Sequence, residues 1–300
     1  MPRILIIKLG ALGDFVLAFA PFAAIRAHHP GAHIALLTTA PFAPLAQAAP
    51  WFDEIRIDRR APWWNLSAIR HLRRQLAGWD FVYDLQTSAR SSRYHRLAGR
   101  PPWSGIARGA SHPHATPARN LMHTLDRQRD QLRQAGLLSV PTPDLAWLTT
   151  GGPRLPTPYA LLVPGAAPHR PAKRWPAPHF ATLAKILLAR GLHPVIAGAA
   201  AERPLADAIR AACPAATDLT GQTSLLDLAG LAARATLAIG NDTGPMHLAA
   251  TVGCPSLVLF SAASDPALTA PRGPHVQILR APNLADLPPE RVAAALPPAP

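Results

Sequence analysis

Short aliphatic or β-branched runs alternate with longer Ala-rich or amphipathic segments along the whole 300-residue chain, and they do so in two successive sets. That alternation is the pattern of a parallel sheet covered by helices on both faces, and it excludes an all-α bundle or an antiparallel sandwich. In the first set the pattern predicts strands near residues 3–8, 33–37, 54–57, 80–85 and 104–107, with helices near 14–28, 41–48, 64–77, 88–98 and 118–135. In the second it predicts strands near 159–163, 193–197, 216–219, 236–240, 256–260 and 276–279, with helices near 177–190, 201–212, 224–233 and 245–252. A last short helix is expected between Pro288 and Leu296. Between the sets, Pro141, Pro143, Gly151, Gly152, Pro153, Pro156 and Pro158 form a stretch that neither a helix nor a central strand tolerates. The linker belongs there, dividing the chain into domains 1–150 and 151–300. Two doubly wound domains with a ligand cleft at the carboxyl ends of their strands are the expected architecture.

Several classes drop out early. The apolar stretch from Phe15 to Ile25 is far shorter than the roughly 20 residues that span a bilayer, and Asp14 spoils it as the core of a secretory signal. A cytoplasmic protein is expected. Cys213 and Cys254 lack any metal or disulfide spacing, and the 13 histidines show no paired ligand motif, so no metal is expected. The formal net charge of +13 is carried almost wholly by arginine and leans to the first half, where 18 basic residues face 9 acidic ones. Arginine favours bidentate capture of carboxylate or phosphate, so the charge points to an anionic partner or to a solvated basic face. No aromatic-interleaved basic motif or recognition helix appears, which argues against nucleic acid. Arg70, Arg73 and Arg74, at helical spacing, read as an ordinary solvated face.

Four segments could carry chemistry. Lys8-Leu9-Gly10-Ala11-Leu12-Gly13-Asp14 crosses from the first strand into a helix, with glycines that let a ligand approach the backbone. A helix start favours a carboxylate, so Asp14 is a candidate to take a proton from a bound hydroxyl, with a helix N-cap as the competing reading. The spacing departs from the dinucleotide fingerprint. Gly240-Asn241-Asp242-Thr243-Gly244-Pro245-Met246-His247 follows an apolar strand. The Thr243 hydroxyl and the Thr243 and Gly244 amides suit a diphosphate, Asp242 suits sugar hydroxyls, and His247 either donates to a phosphate or packs against the sheet. Lys173-Arg174-Trp175-Pro176 sets two cations before a helix, able to stabilise a leaving diphosphate without a metal. Glu202, just past a strand, is placed as an acid that binds ribose hydroxyls. In the first half, Arg56, Arg59 and Arg60 after one strand, and Asp84-Leu85-Gln86 at the end of another, are candidates for holding an anionic acceptor.

Taken together and in this order, these motifs resemble those of glycosyltransferase family 9, the heptosyltransferases that build the lipopolysaccharide inner core. Gly10-Ala11 stands where the best-known members carry small hydroxyl residues. The resemblance implies a GT-B fold of two Rossmann-like domains facing a central cleft, with acceptor bound by the first and nucleotide sugar by the second. It implies an inverting, metal-independent transfer of heptose, or a related sugar, from an ADP-sugar to an anionic inner-core acceptor, with no cofactor. It would make Asp14 the general base. Lys173, Arg174, Glu202, Asp242, Thr243, Gly244 and His247 would bind the donor, and Gly13, Arg56, Arg59, Arg60 and Gln86 the acceptor. The implied location is the cytoplasm, with room for peripheral association at the inner membrane. A glycosyltransferase using another nucleotide sugar, or a non-catalytic nucleotide-binding protein of the same fold, are the alternatives.

Overall fold

The computed structural model describes residues 1–296. The chain divides into two compact units, the first ending at Asp144 and the second beginning at Leu145, ahead of the expected boundary at residue 150. The first unit runs β1 (Arg3–Ile7), α1 (Leu12–Val16), α2 (Phe19–His28), β2 (His33–Thr38), α3 (Ala43–Ala48), β3 (Glu54–Ile57), α4 (Leu66–Leu76), β4 (Phe81–Asp84), α5 (Ala89–Leu97), β5 (Trp103–Gly105), β6 (His112–Pro113) and α6 (Thr124–Gln134). The second runs β7 (Tyr159–Val163), α7 (Ala177–Ala189), β8 (His193–Ile196), α8 (Arg203–Ala212), β9 (Thr217–Asp218), α9 (Leu225–Arg234), β10 (Leu237–Asn241), α10 (Gly244–Thr251), β11 (Ser256–Phe260), α11 (Pro266–Thr269), β12 (Val276–Arg280) and α12 (Pro289–Ala294).

Each unit holds one six-stranded parallel sheet, ordered β3-β2-β1-β4-β5-β6 in the first and β12-β11-β10-β7-β8-β9 in the second. Renumbered from its own first strand, the second sheet has the order of the first. This is the doubly wound Rossmann arrangement, and it puts a topological switch point between β1 and β4 in one unit and between β7 and β10 in the other. The central strands carry the apolar runs that such burial demands: Ile4 to Ile7 and Tyr159 to Val163 are all buried. Around them pack Leu72, Leu76, Tyr94 and Trp103 in the first unit, and Trp175, Phe180, Leu183 and Ile209 in the second.

Three departures from the expected elements have local causes. The helix predicted over 14–28 is broken into α1 and α2, because the Pro21 ring would collide with the carbonyl of Leu17 in a continuous helix. The helix predicted over 118–135 is a 3-10 turn at 119–121 followed by α6. There the His123 side chain accepts from the Leu125 amide at 3.2 Å and starts the helix afresh. The Pro/Gly stretch is pinned to the second unit: Arg234 donates to the carbonyls of Gly151, Gly152 and Pro153, and Asp227 accepts from the Gly152 amide at 2.9 Å. Leu148 is buried just ahead of it, which carries the division back to Leu145.

Candidate functional site

Open α/β sheets bind ligands outside the carboxyl ends of their strands at the switch point, and in both units the candidate residues gather there. At the first, Gly10 has φ +116°, and a Cβ on it would lie 2.5 Å from the Phe42 ring, so only glycine lets the loop run against that ring. Phe42 stacks on Phe15 at 5.2 Å between centroids, and Phe15 is buried against Phe19 and Phe22. This aromatic cluster fixes the turn that carries Asp14. Ala11, which has no side-chain oxygen, occupies the cap position of α1, so Asp14 is a first-turn residue and not the N-cap. Half-buried, it makes no hydrogen bond or ion pair among the described residues.

The β4 loop holds the β1 loop in place. Gln86 Oε1 accepts from the Leu9 amide at 2.8 Å, and Lys8 Nζ donates to the Leu85 carbonyl at 3.1 Å. Asp84 Oδ1 in turn accepts from the amides of Gln86 and Thr87, while its other oxygen is buried without a partner. Burial pushes the Asp84 carboxyl up to about 6, against those hydrogen bonds and the charge of Lys8. Burial likewise drives the Lys8 ammonium below the ordinary lysine range, and the carboxylates of Asp14 and Asp84 oppose it. Gln86 therefore serves the loop through its oxygen, and Gly13 lies in the first turn beside Asp14.

The three expected acceptor arginines separate. Arg56 donates to Glu54 Oε1 at 2.8 Å and to the Gln75 carbonyl at 2.6 Å, with its guanidinium 4.7 Å from the Trp79 ring centroid. Its donors are committed inside the strand region. Arg59 and Arg60 are exposed on the following loop, whose course is set by buried Asp58, which accepts from the Arg60 amide at 2.7 Å and from the Tyr94 hydroxyl. Arg119 was not anticipated, because it lies within a segment that reads as plain helix. Its Nε sits 3.5 Å from His114 Nδ1, and burial and the neighbouring charge of Arg127 weaken its hold on its proton, opposed by Asp84.

At the second switch point the charged residues face one another. Lys173 Nζ is ion-paired and hydrogen-bonded to Asp242 Oδ2, with the two side chains 12% and 5% exposed. Ser264, which no sequence motif marks, donates to the same oxygen at 2.7 Å. Asn241 ties the loops together: its amide donates to the carbonyls of Pro164 and Gly165, and its oxygen accepts from the Trp175 amide at 2.9 Å. Trp175 is buried against Phe180 and donates from its ring to the Leu287 carbonyl, so it anchors the turn that presents Lys173. Arg174 donates to the Ala166 carbonyl at 3.0 Å and closes that loop from the other side.

Glu202 accepts from the Ala199 amide at 2.8 Å and lies over two glycines. A Cβ on Gly165 would fall 1.6 Å from Glu202 Oε1, so the backbone at the end of β7 leaves room for this carboxylate and little else. Thr243 caps α10 by position but makes no side-chain capping bond, Gly244 opens the helix, and His247 is buried one turn along. Among the described residues no three His, Cys, Asp or Glu side chains gather in a set able to hold a metal ion.

The model of glycosyltransferase family 9 (heptosyltransferase) matches residues 67–294. The chain belongs to glycosyltransferase family 9. Among its relatives, lipooligosaccharide heptosyltransferase 2 of Haemophilus influenzae is 37% identical over 115 residues, 37% of this chain and 33% of that protein. The match thus spans about a third of the length of that relative. Lipopolysaccharide heptosyltransferase 1 of Pseudomonas aeruginosa is 27% identical over 297 residues, covering 90% of this chain and 81% of that protein. The family fold is seen in the solved structures. The family 9 glycosyl transferase of Veillonella parvula has a TM-score of 0.83 at 21% identity, covering 98% of this chain and 95% of its own. An E. coli heptosyltransferase solved with ADP has a TM-score of 0.80 at 23% identity, covering 97% and 98%. The GT-B expectation of two Rossmann-like α/β sheets holds for this family 9 chain.

Proposed function

We propose that this chain transfers heptose, or a closely related sugar, from an ADP-sugar to an anionic acceptor of the lipopolysaccharide inner core, with inversion and without a metal. The observation that carries the reading is the Lys173–Asp242 pair at the β7/β10 switch point, where a cation and a sugar-binding carboxylate stand together in a family 9 chain. An acceptor hydroxyl oxygen attacks the anomeric carbon, the bond from that carbon to the phosphate oxygen breaks, and ADP departs with the electron pair. The hydroxyl proton passes to Asp14. An inverting displacement needs its base and its leaving-group stabiliser on opposite sides of the anomeric carbon, and here they come from different units of the chain.

In the second unit, Lys173 meets the developing charge on the diphosphate, helped by the Thr243 and Gly244 amides at the start of α10 and by Arg174 and His247. Asp242 and Ser264 hold sugar hydroxyls, and Glu202 holds the ribose. In the first unit, Gly13 and Gln86 border the acceptor, while Arg59 and Arg60 receive its negative groups. Arg56 supports that loop and makes no direct contact, because Glu54 and Gln75 occupy its donors. Arg119 is added as a further anion-binding residue. The ADP held by the E. coli relative supports an adenine nucleotide. Work on such an acceptor places the enzyme in the cytoplasm, in peripheral contact with the inner membrane.

A thermal-shift panel of ADP, ADP-sugars, UDP-sugars and GDP-sugars tests the donor. A ligand at 100 times its dissociation constant adds about 2.7 kcal/mol of stability. Selective stabilisation by ADP and ADP-sugars is expected. A preference for UDP- or GDP-sugars would replace the donor, and no response to any nucleotide would contradict the enzyme reading.

A further inference from the structure

Helix α4 has two unlike faces. Leu72 and Leu76 are buried and Ile69 is half-buried on one, whereas Leu66, Arg70, Arg73 and Arg74 are exposed on the other. A solvated helix face ordinarily mixes charges of both signs, so that neighbours at i,i+4 attract. Here Arg70 and Arg74 repel at that spacing, and no acidic residue occurs anywhere from Arg59 to Trp79. The face is short of negative charge and offers a complementary surface to an anionic layer.

Apolar groups stand at its leading end. Trp64 is 83% exposed and Leu66 67% exposed, two of the few large apolar side chains that this protein leaves in water. The neighbouring Trp63 shows that this exposure is not looseness of the loop. Its ring lies between the guanidinium groups of Arg90 and Arg93, at 5.0 and 5.3 Å, and edge-on to Tyr94, so the loop is fixed to α5 on one side and presents Trp64 on the other. Arg93 and Arg96 of α5 are exposed as well. Indole and guanidinium side by side are the groups that favour a lipid headgroup region, where the ring takes the apolar boundary and the cations take the phosphates.

We propose that the exposed face of α4, led by Trp64 and Leu66, is the surface by which this chain lies on an anionic phospholipid bilayer. It rests on the amphiphilic acceptor inferred above and deepens that reading. No helix among the described residues is long and apolar enough to cross a membrane, so the contact is one that lies on the surface. The occupant is the lipid headgroup layer rather than nucleic acid, because Trp64 and Leu66 add an apolar edge that a phosphate backbone would not use.

Co-sedimentation of the full chain with phosphatidylcholine vesicles, with and without phosphatidylglycerol, tests the surface. Two variants accompany it, Trp64→Ser and the triple Arg70→Gln, Arg73→Gln, Arg74→Gln, none of which touches the proposed reaction site. Wild type is expected to bind only the vesicles containing phosphatidylglycerol, and each variant to lose at least about tenfold in partitioning. Thermal stability and transfer to a deacylated, water-soluble acceptor should stay unchanged in both. Absence of wild-type binding, equal binding by the variants, or binding to duplex DNA in place of vesicles would overturn the proposal. Transfer to the soluble acceptor is read separately, so a failure there counts against the function and leaves the vesicle result to decide the surface.

Discussion

The loops after β1 and after β10 occupy switch points of two sheets with the same strand order, and in both a side-chain amide from one loop ties down the backbone of the next. Gln86 does so in the first unit and Asn241 in the second. They differ in what becomes of the charged groups. Lys173, Asp242 and Ser264 are bonded to one another, so a donor must take Lys173 away from Asp242 before either can meet a phosphate or a sugar. Asp14 is bonded to nothing among the described residues, and the charges near it, Lys8 and Asp84, are sunk into the fold. A binding group is best kept ordered by partners that a ligand can exchange, whereas a base must meet its proton without first breaking a bond. The difference between the two loops is the difference between those tasks.

The largest expected effect comes from breaking the paired side of this comparison. Lys173→Met leaves a buried carboxylate uncompensated, and stability should fall by about 3 kcal/mol, measured by denaturant unfolding, together with loss of donor binding. Adding Asp242→Asn should recover most of the stability and none of the binding. Recovery of both would mean that the pair is structural only.

Asp84 gives the next effect, and it depends on pH. Its folded value of about 6 lies above the unfolded value of about 3.9, so the folded state holds the extra proton between these limits and stability is lost as pH rises through them. Asp84→Asn keeps an oxygen for the two amides and removes the titration. Relative to wild type, the variant should gain about 3 kcal/mol between pH 4 and pH 7. A pH-independent difference would show that Asp84 does not carry this cost. Smallest is Gln86→Leu, which leaves the Leu9 amide without an acceptor. It should cost about 1 kcal/mol and raise the acceptor KM more than the donor KM, read from steady-state kinetics with each substrate varied.

Much of this comparison is legible in the sequence. The two βα sets, the linker and both glycine-bearing loops follow from periodicity and turn chemistry, because central parallel strands are apolar throughout and cannot be mistaken for loops. Residues whose importance comes from distant partners are not legible. Ser264 meets Asp242 across 22 positions and Asp84 acts by being buried, so neither carries a local signal. Arg56 shows the reverse: grouped with Arg59 and Arg60 by sequence, it is separated from them by the strand geometry that hands it to Glu54. The break at Leu17 was readable from Pro21, but an apolar segment that continues past a proline reads as one helix.

The division of labour between the loops is tested most directly by Asp14→Asn, with turnover of ADP-heptose onto a deacylated inner-core acceptor and the donor dissociation constant measured on the same preparation. The predicted result is a loss of about 10²- to 10⁴-fold in kcat with the donor constant unchanged. Turnover near that of wild type, or a loss of donor affinity equal to the loss of rate, would contradict it.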